Sequence, residues 1–237
     1  MRLKTLFTLT LFTALAGFSS AATIVQSQTF GIANGSGANL LFNKFNTTLG
    51  TLTSVTVNVL MGEGYRGVSV DNDSTTGGTI ILTHTVTGQL SSSVSLLKAG
   101  GLSSVGQLGS LTIVSTSGPL PIGATTGDPI GIFNYQYGNV DYNGMNSGSY
   151  ASVSDSGNID TSVISQYASP GLQTFGMTFA APVNQQATGL SGLHLYFDGS
   201  EGNVDATVTY NYLAVPEPAS ALLGGIGCLA LLRRRRH

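Results

Sequence analysis

The chain has 237 residues, nine Lys or Arg against eleven Asp or Glu, and a formal net charge of −2. Charged residues make up only 8% where an ordinary soluble domain carries roughly 25%, yet a hydrophobic content of 41% excludes a highly charged disordered chain. No basic excess exists to attract a polyanion, so nucleic acid is excluded as a partner, and a single cysteine excludes an internal disulfide.

In Met1 to Ala22, Arg2 and Lys4 precede an apolar run from Leu6 to Phe18, which ends in Ser20-Ala21-Ala22. This is the layout of a secretory signal peptide. The cations stay cytoplasmic, the apolar run enters the membrane as a helix, and Ser20 and Ala22 fit the two narrow subsites of signal peptidase. Passage through the secretion translocon and cleavage after Ala22 are expected.

Residues 23–214 form the body. Its cations are Lys44, Arg66 and Lys98 against ten carboxylates, a net of −7, so long-range fields draw it neither to DNA nor to anionic lipid. Period-two patterning dominates. Val55, Val57, Val59 and Met61 alternate with Ser54, Thr56, Asn58 and Leu60, and Val204, Ala206, Val208, Tyr210 and Tyr212 alternate with polar neighbours. Further strands are expected at Thr23 to Phe30, Thr79 to Val86, Leu108 to Val114, Gln173 to Phe179 and Leu193 to Phe197, each bounded by turn-forming residues. Asp71 to Gly78 and Ser115 to Asp128 read as long loops. No stretch of the body carries a helical period, and no repeat recurs at a fixed spacing. The expectation is an all-β fold, a single β-sandwich of jelly-roll-like form.

Phe42-Asn43-Lys44-Phe45-Asn46, followed by Leu49-Gly50-Thr51-Leu52 and Val55-Thr56-Val57, resembles the choice-of-anchor (E-like) domains of exported bacterial proteins. The strand from Val204 to Tyr212, which runs straight into the C-terminal segment, fits the same pattern. This sequence carries Asn46 where that pattern has an acidic residue. The resemblance implies a β-rich exported domain attached to varying anchors, with no known catalysis.

Candidates for chemistry are few. The body holds two histidines, His84 and His194, each inside a strand pattern, and no nucleophile elbow, zinc helix or phosphate loop. Asp71-Asn72-Asp73 and Asp198-Gly199-Ser200-Glu201 offer oxygen ligands of the kind calcium takes, but ordinary turn formation accounts for both. We therefore expect no metal, no cofactor and no enzyme activity. A glycan-active enzyme is a subsidiary alternative, because any two of the ten carboxylates could form an acid/base pair. From Tyr135 to Asn143, tyrosines interleave with amide and acid groups, so Tyr135, Tyr137 and Tyr142 are candidate glycan contacts. The competing reading is an edge strand and turn whose rings half cover the core.

Residues 215–237 close the chain. Pro216, Glu217 and Pro218 cannot continue a strand or helix, because the prolines fix φ and lack an N–H. Ala219 to Leu232 is apolar and about 21 Å long as a helix, short of the roughly 30 Å hydrocarbon core. Arg233, Arg234, Arg235 and Arg236 resist translocation and act as a stop-transfer cluster. Cys228 lies within this apolar helix as a small apolar residue. The three-part order resembles the PEP-CTERM sorting signal of Gram-negative bacteria. That resemblance implies recognition of Pro216, Glu217 and Pro218 by an exosortase, a membrane cysteine transpeptidase, after a transient stay in the inner membrane. The alternative is a plain C-terminal anchor that is never cut. The expected product is a structural or adhesive protein of the cell surface or extracellular matrix, with exopolysaccharide a further partner; the alternative is a surface carbohydrate-binding module.

Overall fold

A computed structural model describes residues 19–33, 36–100, 108, 110–125, 140–147, 151–215 and 225–226. Its strands are β1 (Ala21–Ala33), β2 (Ala38–Asn43), β3 (Phe45–Asn46), β4 (Gly50–Asn72), β5 (Gly78–Ser92), β6 (Ser110–Thr116), β7 (Leu120–Ile122), β8 (Tyr142–Ser147), β9 (Ala151–Asn158), β10 (Ala168–Ser169), β11 (Thr174–Ala180), β12 (Val183–Thr188) and β13 (Leu193–Ala214). Short 3-10 turns at Thr47–Leu49 and Ile164–Tyr167 interrupt them. The fold is all-β, built from antiparallel sheets.

The first sheet runs β1-β13-β4, with β8 and β9 both pairing β4 on its far side. In the second, β5 is flanked along one side by β12 and β11 and along the other by β6 and β7, while β2 forms the edge beyond β11. The parallel pair β3 and β10 stands apart. β13 is 22 residues long, about 70 Å at roughly 3.3 Å per residue. The expected strands at Leu193 to Phe197 and Val204 to Tyr212 are thus two stretches of one element, joined through register shifts at Phe197/Gly199 and Glu201/Gly202. A bulge adds a residue without ending a strand, so the intervening Asp-Gly-Ser-Glu-Gly reads as a turn in sequence and is a distortion in the fold.

The inward-facing residues of the two sheets enclose the core. Val55, Val57, Val59 and Met61 of β4 and Val204, Ala206, Val208 and Tyr210 of β13 meet Leu40 and Phe42 of β2, Val86 of β5 and Phe175, Met177 and Phe179 of β11. Full burial of each large apolar side chain contributes about 1.5–3 kcal/mol. Val68 and Val70 with Ile80, Leu82 and Ile122 form a second, smaller cluster. The buried phenols of Tyr167 and Tyr210 donate to the carbonyls of Ser95 (2.7 Å) and Asn43 (2.8 Å). Burial pushes both hydroxyls above the ordinary tyrosine range, so each keeps the proton that it donates.

The outer face of the first sheet explains the scarcity of charge. Its rows are filled by hydroxyls and amides that bond one another across the strands: Thr23 to Asn211 (2.8 Å), Ser27 to Thr207 (2.9 Å), Asn211 to Ser54 (2.9 Å) and Thr56 to Asn158 (2.7 Å). Neutral groups wet this surface in place of lysines and glutamates.

Two residues of the Phe42 to Val57 stretch have backbone duties. The Asn46 carboxamide oxygen accepts from the N–H of Thr48 (3.1 Å) and of Gly171 (3.3 Å), capping the 3-10 turn and tying it to the loop after β10. An acidic residue is not required for this, since the amide oxygen is itself an acceptor. Gly50 starts β4 at φ 153°, where a Cβ would strike the Leu213 carbonyl.

Both ends of the body meet. Ala21 pairs with Leu213, and the N–H of Ala214 donates to the Ser20 carbonyl at 2.9 Å. The expected signal-peptide and C-terminal helices lie outside the described residues, apart from the helical Gly225 and Ile226. Among the described residues no helix is long and apolar enough to cross a membrane.

Candidate functional site

Among the described residues, two groups that include titratable side chains stand out. One is interior. Continuing the inward parity of Val57, Val59 and Met61 brings Glu63 into the space between the sheets, and the parity of Ile80, Leu82 and Val86 does the same for His84. Both are buried, at 2% and 0% exposure, and His84 Nε2 lies 2.8 Å from Glu63 Oε1. Nε2 makes no hydrogen bond by the usual geometric standard, so this is a close polar contact. On the other side of the ring, the Gln185 amide nitrogen stands 3.4 Å from Nδ1, and Phe197 stacks on it at 6.1 Å. This pair bridges the two sheets where the large and small apolar clusters separate. Enclosed at this depth, it is placed to hold the sheets in register.

The other gathering lies at the end of the sandwich away from the chain termini. Tyr142 of β8, Asp71 of β4 and His194 of β13 are direct cross-strand partners, so the three side chains share one row on one face. The next row carries Ser69 and Tyr196. Asp71 is buried, Tyr142 half-buried, and Tyr196 39% exposed. The half-exposed His194 ring contacts Asp73 through Nε2 and Oδ2 at 2.8 Å. Fully buried Asn72 organises the loop. Its amide donates to the carbonyls of Thr76 (3.0 Å) and Gly123 (2.6 Å), and its oxygen accepts from the Ser74 N–H (3.0 Å). Its own N–H reaches the Asp141 carbonyl at 2.9 Å. Asp71-Asn72-Asp73 is therefore the end of a strand and the start of a turn. Among the described residues no three His, Cys, Asp or Glu side chains converge as a metal site. What the row offers is aromatic surface beside hydrogen-bonding groups.

Of the residues singled out in the sequence, Tyr142 falls in this row, while Tyr135 and Tyr137 lie outside the described residues. So do Pro216, Glu217, Pro218 and Arg233 to Arg236. Ser20 stands just before β1, and Ala22 lies within it, paired with Tyr212. The expected cleavage after Ala22 would remove two paired residues, Ala21 and Ala22, from the start of this strand. Sequence reasoning missed Glu63, although its parity was continuous with Met61, and missed that His194 shares a row with Tyr142, because no local pattern reports partners so far apart in the chain.

No family model matches the chain. No curated protein matches it. Among solved structures, the infectious bursal disease virus T13 particle is similar at 12% identity and a TM-score of 0.20, over 82% of this chain and 41% of that one. Turnip yellow mosaic virus is similar at 11% identity and a TM-score of 0.17, over 86% and 87%. The chain thus spans about two fifths of the first of these. Likeness this low establishes neither fold nor activity.

Proposed function

We propose that this chain is an exported structural or adhesive component of the cell surface or extracellular matrix, sorted by an exosortase and without enzymatic activity. The observation that carries the reading is the order of Pro216-Glu217-Pro218, the apolar Ala219 to Leu232 and Arg233 to Arg236, directly after the last strand. The body is a jelly roll of the choice-of-anchor type. The strand orders β1-β13-β4-β9 and β2-β11-β5-β6 support this, since they interleave early and late strands as two Greek keys do. The pairing of Ala21 with Leu213 supports a common exit for the two targeting segments. While the tail holds the chain at the inner membrane, the opposite end, with Tyr142 and His194, projects up to about 65 Å from it along β13. Intact-mass measurement of protein released from the host surface tests the sorting. Loss of Met1 to Ala22 and of the tail beyond the Pro-Glu-Pro handle is expected, and a released chain that keeps both apolar ends overturns it.

A second reading has its own observation. The row Tyr142–Asp71–His194, beside Tyr196, sets aromatic rings next to hydrogen-bonding groups, the combination that sugar rings and their hydroxyls take. On this reading the projecting end binds exopolysaccharide. On a glycan array, Tyr142→Ala and Tyr196→Ala are each expected to weaken binding by up to about tenfold. Absence of binding by the parent protein dismisses it.

A further inference from the structure

β1 is a 13-residue strand with one partner. Every residue from Ala21 to Ala33 pairs with β13, and among the described residues nothing pairs the opposite edge. In an antiparallel ladder every second residue turns its N–H and C=O outward, so that edge is a long template for another strand.

Two other edges are covered. The β2 edge is sealed by side chains from β1 itself: the Gln26 amide donates to the Asn43 carbonyl and accepts from the Asn43 N–H, both at 2.9 Å, and Gln28 donates to the Leu41 carbonyl. Near β9, Lys98 bridges to Ile159 and binds Asp155, while the N–H of Ala99 donates to the Asn158 carbonyl at 2.8 Å. β1 has no such device. It contains no charge, no proline and no bulge against β13.

The sequence of this edge identifies its occupant. About Ser27, the middle residue of the strand, β1 is nearly palindromic: Gln26 mirrors Gln28, Val25 mirrors Thr29, Ile24 mirrors Phe30 and Thr23 mirrors Gly31. Mirror-related residues of two antiparallel copies stand opposite one another across a two-fold axis. Amide then faces amide, and apolar faces apolar, on the inner side. On the outer side Ser27 meets Ser27 and Val25 meets Thr29, with no like charges opposed. The nearest carboxylates, Asp205 and Glu201, pair with Thr29 and Ala33 on β13, one strand in from the axis.

We infer that two copies of this chain associate through antiparallel β1–β1 pairing centred on Ser27, joining their first sheets and their hydroxyl-lined outer faces into one. The inference rests on the fold and not on the sorting pathway. Cleavage after Ala22 leaves the palindrome from Thr23 to Gly31 whole.

The test uses the full chain in mild detergent with Cys228→Ala, which removes its one cysteine. Opposed residues of an antiparallel pair have Cα atoms about 4.5–5.5 Å apart, within the range a disulfide spans. Ser27→Cys is therefore expected to oxidise to a covalent dimer. Val25→Cys mixed with Thr29→Cys should give the mixed dimer in preference to either homodimer. Thr207→Cys, on the same face one strand inward, should not cross-link. Without any cysteine, Ser27→Lys opposes two ammonium groups at the axis and is expected to weaken dimerisation at least about tenfold by sedimentation. The inference is overturned if Ser27→Cys does not cross-link, if Thr207→Cys cross-links equally fast, if Ser27→Lys leaves the dimer intact, or if Ser27→Cys joins a different protein and never itself.

Discussion

Replacing His84 with Leu lowers the unfolding free energy by about 3–5 kcal/mol, because it leaves the Glu63 carboxyl buried with its imidazole partner gone. Leu roughly fills the volume, so the loss measures the polar mismatch and not a cavity. Glu63 cannot recover solvation by a small movement, since it lies at 2% exposure between β13 and β9, its neighbours in the sheet. Against a total stability of roughly 5–15 kcal/mol, such a loss brings unfolding to a much lower urea concentration. Glu63→Met alone should also destabilise, by stranding the imidazole. The double variant should recover most of the loss, since a buried ion pair is often no better than apolar residues of similar size. Urea melts of the four proteins close the cycle. A coupling of about 2 kcal/mol or more is expected, and strictly additive single effects would refute the bridging role.

Changing Pro216 and Pro218 together to Ala is expected to hold the chain in the inner-membrane fraction and abolish its release. The last backbone bond of the body is from the Val215 N–H to the Leu49 carbonyl, at 3.0 Å. Proline next in line has no N–H with which to extend the backbone pairing. Alanine restores the two missing donors and frees φ, which removes the fixed extended geometry on which the proposed sorting recognition depends. Fractionation with immunodetection, in cells with and without exosortase, checks this. Release of the variant at the parental level would defeat the sorting proposal and leave the β-fold untouched.

How much was legible differs from element to element. The alternation at Val55 to Met61 and at Val204 to Tyr212 marks strands with one buried face, and the structure has them. The same parity points Glu63 and His84 inward. It cannot say that they meet, because they belong to strands of different sheets. The candidate glycan contact Tyr142 was noticed for its local company of amides and acids, whereas its partners Asp71 and His194 come from strands distant in sequence. β2, β9 and β12 do not read as strands in sequence, their alternation hidden by serine, asparagine and glutamine on faces that here need no charge, and β7 lies inside the expected loop from Ser115 to Asp128, between Pro119 and Gly123. β13 reads as two strands in sequence because its bulges carry the residues of a turn.

From sequence alone came the all-β character, the acidic and sparsely charged body, and the order of polar and apolar segments at both ends. These depend on composition, side-chain period and the fixed geometry of proline, which are properties of neighbours along the chain. Tertiary structure decided which strands adjoin, and with that the meeting of Ala21 with Leu213, the contact between Glu63 and His84, the row from Tyr142 to His194 and the open edge of β1. Each is a relation across sheets whose strands lie far apart in the chain. Strand pairing and sheet packing create such relations only when the whole core closes, and no local pattern encodes them.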